Sequence, residues 1–145
     1  MRTVTGKTSR YAVDLAVDGY IHARPGVVCR ALTETTFWQA VDPELALRCY
    51  HDRGEEGMRW YVSLPGTGMT GTAEVWLEPF RDGTLPHLFL RCDQKPAGWR
   101  ARRRARRLVR RAERRLRAAL FVTKDRLEVR SGPSATPSSG ARDRA

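Results

Sequence analysis

Between Pro96 and Arg130 an apolar stripe recurs at steps of three, four or seven: Ala101, Ala105, Leu108, Ala112, Leu116, Leu120 and Leu127. This is one long amphipathic helix, stopped by Gly132-Pro133. At its ordinary rise it is roughly 50 Å long, more than a small sheet covers, so one end is expected to project. A stripe of that length needs an equally extended apolar partner.

The rest of the chain supplies one. Tyr11, Val13, Leu15, Val17 and Ile21 alternate with Asp14, Asp18 and His22, the period of a strand with one buried face, interrupted at Gly19. In ARPGVVCRALTETTFWQAVDPE, Pro25 suits a first helical turn, and Val28, Ala31 and Leu32, with Cys29, fall at helical spacing. Thr33 to Thr36 split this region into a helical pair before Phe37 and Trp38, and Asp42-Pro43 ends it.

Four strands are expected between Glu44 and Asp93. Leu45, Leu47 and Cys49 alternate with Arg48 and Tyr50; after the loop DRGEEG, Met58, Trp60, Val62 and Leu64 alternate with Arg59 and Ser63. A hairpin centred on Asp82-Gly83 would oppose Glu78 to His87, Trp76 to Phe89 and Glu74 to Arg91. Its apolar side would oppose Leu77 to Leu88, Val75 to Leu90 and Ala73 to Cys92. Pro86 has no N–H to donate, which argues for an edge or a bulge there.

With 145 residues and 41% hydrophobic side chains, the chain has material for one core. It contains no run approaching the ~20 apolar residues of a membrane span, and its opening MRTVTGKTSR lacks the apolar run of a secretion signal. Cys29, Cys49 and Cys92 are odd in number and widely spaced; together with His22, His51 and His87 they form no metal-ligand pattern. The expectation is a soluble, cytoplasmic protein with free, mostly buried thiols, without a cofactor or metal.

The net charge of +11 is unevenly placed: residues 1–98 carry −1, residues 99–130 carry +11 and residues 131–145 carry +1. Arginines crowd the N-terminal end of the long helix, where the dipole is already positive, while Asp125 and Glu128 lie near its negative end. Arginine outnumbers lysine 24 to 3, a bias that a GC-rich genome produces. The other reading is contact with a polyanion, either nucleic acid or an anionic lipid surface. The residues concerned are Arg100, Arg102, Arg103, Arg104, Arg106, Arg107, Arg110 and Arg111.

The strand leading into ARPGVVCRALTE, the phrases GMTGTAEVWLEP and DGTLPHLFLRCD, and the ending FVTKDRLE together resemble bacterial proteins of the SRPBCC superfamily, which covers START-like lipid-transfer and polyketide cyclase/dehydrase-like proteins. The resemblance implies an α+β helix-grip fold over residues 9–130: a curved antiparallel sheet of five to seven strands wrapped on the C-terminal helix. Residues 1–8 are then an extension and 131–145 a disordered tail. Five strands are readable where relatives usually show six or seven, which implies a less curled sheet and a cavity that is small or closed.

That cavity would hold a small hydrophobic or aromatic molecule, lipid- or polyketide-like, in a carrier or a cyclase-like catalyst. The candidate ligand-binding residues are Trp38, Leu47, Trp60, Val62, Val75, Leu77, Leu88 and Leu90, with Leu108, Ala112, Leu116 and Leu120 from the helix. No catalytic residue can be carried across. The His87–Glu78 pair belongs to the outward face, away from a substrate. GTGMTG, residues 66–71, matches a dinucleotide fingerprint but precedes a strand, not a helix, so it is read as a flexible loop. The alternative function is a non-enzymatic module binding nucleic acid or anionic membrane through the arginine helix.

Overall fold

The computed structural model describes Tyr11, residues 13–64, 68–93 and 98–130, excepting the Ala105 side chain. The extension 1–8, the tail 131–145 and the helix stop at Gly132-Pro133 lie outside the described residues.

The alternating segments form strands whose apolar sets share one face. β1 spans Val13–Asp18 and is followed by α1, Pro25–Thr33, and α2, Thr35–Val41. β2 (Ala46–Asp52), β3 (Gly57–Leu64), β4 (Met69–Phe80) and β5 (Gly83–Asp93) then lead to α3, Gly98–Arg130. The five strands make one antiparallel sheet in the order β1-β5-β4-β3-β2. The curved sheet and the 33-residue terminal helix constitute the helix-grip α+β fold. The helical pair divides at Glu34, whose extended backbone ends α1 and precedes α2.

The hairpin register differs from the expected one. Val75 pairs with Leu88, Trp76 with His87 and Leu77 with Pro86, so the two-residue turn is Arg81-Asp82. Each residue keeps its face, because the partner shifts by two, but the expected Trp76–Phe89 and Glu78–His87 oppositions give way to Trp76–His87 and Glu78–Leu85. Arg81 takes the left-handed conformation at φ 53°. Gly83 serves packing instead of the turn: a Cβ there would lie 2.5 Å from the Ile21 carbonyl oxygen and from the Tyr20 hydroxyl.

Pro86 is likewise not on an edge, since β5 lies between β1 and β4. Its carbonyl accepts from the Gly19 N–H at 3.1 Å, and the ladder resumes only as an isolated bridge between Ile21 and Thr84. With no N–H at Pro86 to continue the pairing, β1 ends at Asp18.

The supposed loop 66–71 is partly strand. Gly68 is a turn and Met69 to Gly71 open β4, while residues 65–67 lie outside the description. Gly71 is demanded by backbone proximity, because a Cβ would fall 1.7 Å from the Arg91 carbonyl oxygen.

The core lies between the inner sheet face, α1, α2 and the C-terminal two-thirds of α3. α3 packs on β1, α1 and α2, and so grips the sheet at the edge opposite β2. Its last turns are tied down by polar contacts. Glu128 accepts the His22 backbone N–H at 3.0 Å, and Lys124 donates to the Tyr20 carbonyl at 2.8 Å while pairing with Glu128.

Candidate functional site

The twelve candidate ligand-binding residues belong to one continuous apolar cluster. Trp38, Trp60, Val62, Val75, Leu77, Leu88, Leu90, Ala112, Leu116 and Leu120 are buried in it; Leu47 and Leu108 are half-buried at its margin. Register explains the sheet's share. Trp60 lies between Cys49 of β2 and Ala73 of β4, so small side chains flank the indole on both sides, while Val62 lies between Leu47 and Gly71. Trp38 packs edge-on against Trp60 at 5.6 Å between ring centres, and its indole N–H donates to the Leu32 carbonyl at 3.2 Å. That indole therefore offers its ring to the interior, with its polar handle already engaged.

The inner face is unevenly covered. Along β2 only Leu47 is even half-buried, and Cys49, which points to the same face, is exposed. α3 approaches β1, α1 and α2 most closely, and β1 is the sheet edge opposite β2. Leu47 on β2 and Leu108 on α3 are each half-buried at the margin of the apolar interior.

Hollows lined by described residues lie around this core. The largest described, about 590 Å³, is a shallow groove on the outer sheet face lined by Tyr11, Arg48, Tyr61, Ser63, Thr72 and Arg91, with Leu47 and Val62 at its floor. Tyr50, the extra residue at the β2 irregularity, stacks on Tyr61 at 4.3 Å. A second hollow, about 450 Å³, lies between Val17–Ile21 and Leu120, Phe121 and Lys124. A third, about 360 Å³, runs between Phe37, Ala40 and the α3 residues Ala119, Val122 and Thr123. The fourth, about 170 Å³, is rimmed by Arg104, Arg107, Arg111 and Arg115 beside Val41 and Asp42, and touches Leu108 and Ala112.

No protein-family model and no curated protein matches the chain. Solved structures do share its fold. DR_A0006 from Deinococcus radiodurans is 13% identical with a TM-score of 0.57, covering 81% of this chain and 98% of that one. The di-domain ARO/CYC StfQ from the steffimycin biosynthetic pathway is 16% identical with a TM-score of 0.58, over 83% of this chain; this chain spans 52% of StfQ. Aha1 from Colwellia psychrerythraea, solved as a dimer, is 13% identical with a TM-score of 0.53, over 83% of this chain and 99% of that one. At these identities the likeness is one of fold.

The carboxylate and imidazole groups lie outside the apolar core, whereas the Cys29 and Cys92 thiols are buried in it. His87 sits on the outer face, 2.7 Å from Asp18 and 3.5 Å from Glu78, with its ring tilted against Trp76 at 5.3 Å. His51 is exposed on β2. Arg53 and Arg59 converge on Glu74 at 2.6 and 3.0 Å, and Arg91 meets Asp14 at 3.0 Å. Beside the end of α3, Tyr20 donates to Asp82 at 2.6 Å, which raises the phenol's pKa and lowers that of the carboxyl, and His22 lies 2.9 Å from the same carboxylate. The sequence spacing of Tyr20, His22, Asp82 and Glu128 gave no hint that they would meet. Among the described residues no three His, Cys, Asp or Glu side chains converge to hold a metal ion. Among the described residues no helix is long and apolar enough to cross a membrane.

Proposed function

We propose that this protein holds a small hydrophobic or aromatic molecule between the inner sheet face and α3, as a cytoplasmic carrier or as a cyclase-like protein that shapes a polyketide chain. One observation carries the reading. Leu47 of β2 and Leu108 of α3 lie half-buried at the margin of a continuous apolar interior built from the inner sheet face and the helices. An apolar guest entering there would meet Val62 and the Trp60–Trp38 pair, gaining about 25 cal/mol for each Å² of apolar surface removed from water. The fold shared with StfQ, described as an ARO/CYC, supports a guest of polyketide type. With no carboxylate or imidazole among the described residues of the apolar core, any cyclisation in this interior would work by positioning the chain.

Native mass spectrometry of freshly purified protein is expected to reveal a co-purified apolar species. Titration with an apolar fluorescent dye should quench emission from Trp38 and Trp60. Leu47→Arg, at a half-buried position, should abolish dye uptake while leaving the far-ultraviolet circular dichroism unchanged. An apo mass together with no dye response in the parent protein would overturn the proposal.

A further inference from the structure

The arginine-bearing part of α3 is not absorbed by the ligand site. Eleven arginines lie between Arg100 and Arg117, with Glu113 as the sole acid. All are exposed except Arg115, which is half-buried. Among the described residues, the ion pair made by this stretch is Arg117 with Glu113, 3.3 Å apart on the same helix. Arg103, Arg107, Arg110 and Arg114 follow one another at steps of four, three and four. That spacing sets them as a ridge opposite the Leu108–Ala112–Leu116 stripe, which faces the protein's own core.

The arrangement is costly to the free protein. Like charges three and four residues apart repel by a few tenths of a kcal/mol each, and those in the first turn also oppose the helix dipole. No core contact is gained in return, because these side chains point to solvent. Over about 25 Å of helix axis, eleven guanidinium groups give one positive charge per roughly 2.3 Å, close to the ~1.7 Å spacing of phosphates along duplex DNA. A helix that inserts into a membrane surface needs a free apolar face. Here, from Leu108 to Leu116, that face is packed against the body of the protein.

We infer that the exposed ridge of α3 docks, without reading sequence, on the phosphate backbone of a double-stranded nucleic acid. The guanidinium groups displace the counterions condensed on the duplex, and the release of those ions drives association. Binding also removes the repulsion within the helix, so the docked state is the one in which this stretch is most stable.

The test is fluorescence anisotropy of the full chain with a short labelled duplex of mixed sequence, across a salt series. The logarithm of the association constant should fall linearly with the logarithm of salt concentration. The variant R103Q/R107Q/R110Q/R114Q should flatten that slope by roughly three to four and weaken binding on the order of a thousandfold near ~0.1 M salt. Glutamine matches arginine in helix propensity, so this variant keeps its fold. A control, R24Q/R30Q/R48Q/R81Q, removes the same charge from exposed positions elsewhere and should bind nearly as the parent does. Binding insensitive to salt, equal weakening by both variants, or tighter binding to phosphatidylserine vesicles than to duplex would each overturn the inference.

Discussion

Each of the three cysteine thiols has its own surroundings. Cys92 is buried in β5, and burial, reinforced by the neighbouring Asp93 charge, pushes its pKa up to about 11. The pKa of Cys29 is raised as well, first by burial and then by Asp52 and Glu55, while its S–H reaches the Gly54 carbonyl at 3.1 Å. Cys49 is exposed on the uncovered inner face of β2. A thiolate-selective reagent applied to the native protein near neutral pH should therefore react rapidly with one thiol, and Cys49→Ser should remove that fast phase. A fast phase surviving in the variant would refute this assignment. The alternation of Cys49 with Arg48 and Tyr50 announced its face. That nothing covers the face depends on where α3 lies, which local spacing does not encode.

At the scale of the element, the packing of α3 explains one of the two carboxylates that looked misplaced near its negative end. Glu128 accepts the His22 N–H and pairs with Lys124, and these contacts hold its pKa below the ordinary carboxylate value, the backbone bond contributing first. Because the folded pKa is depressed, this contribution is fully present above the ordinary carboxylate pKa and lost as pH falls through the folded value. Glu128→Gln should thus lower the urea midpoint near neutral pH, and the gap to the parent should close as pH drops below about 4. A gap that persists in acid would show that charge is not the cause. Asp125 is exposed, and nothing in the structure explains its place.

For the whole molecule, the decisive pairing is between β1 and β5, which joins Asp14 to Arg91 and Asp18 to His87 across most of the chain. α3 then packs on β1, α1 and α2 together, with Leu116 fully buried among them. Leu116→Ala should destabilise the protein by about 2–5 kcal/mol, the usual range for a buried leucine truncated to alanine. Tryptophan fluorescence and circular dichroism should report the same lowered midpoint, as expected of one cooperative unit. Separate midpoints would mean that helix and sheet unfold independently.

Element types and facing side chains were legible because period 2 and period 3.6 are local properties: the inner faces of β1, β3, β4 and β5, the helical pair and the α3 stripe all follow from them. The hairpin turn was misplaced by one residue because Asp82-Gly83 carries a turn signal, whereas Gly83 is glycine to admit Ile21 and Tyr20 from a distant segment. The same distinction separates the candidate site from its opening. Residue identity made the interior apolar, but the side on which α3 grips the sheet was decided by packing between elements far apart in the chain. That choice covered β1 and left most of β2's side chains exposed, because α3 settles most closely on β1, α1 and α2, and β1 is the edge opposite β2.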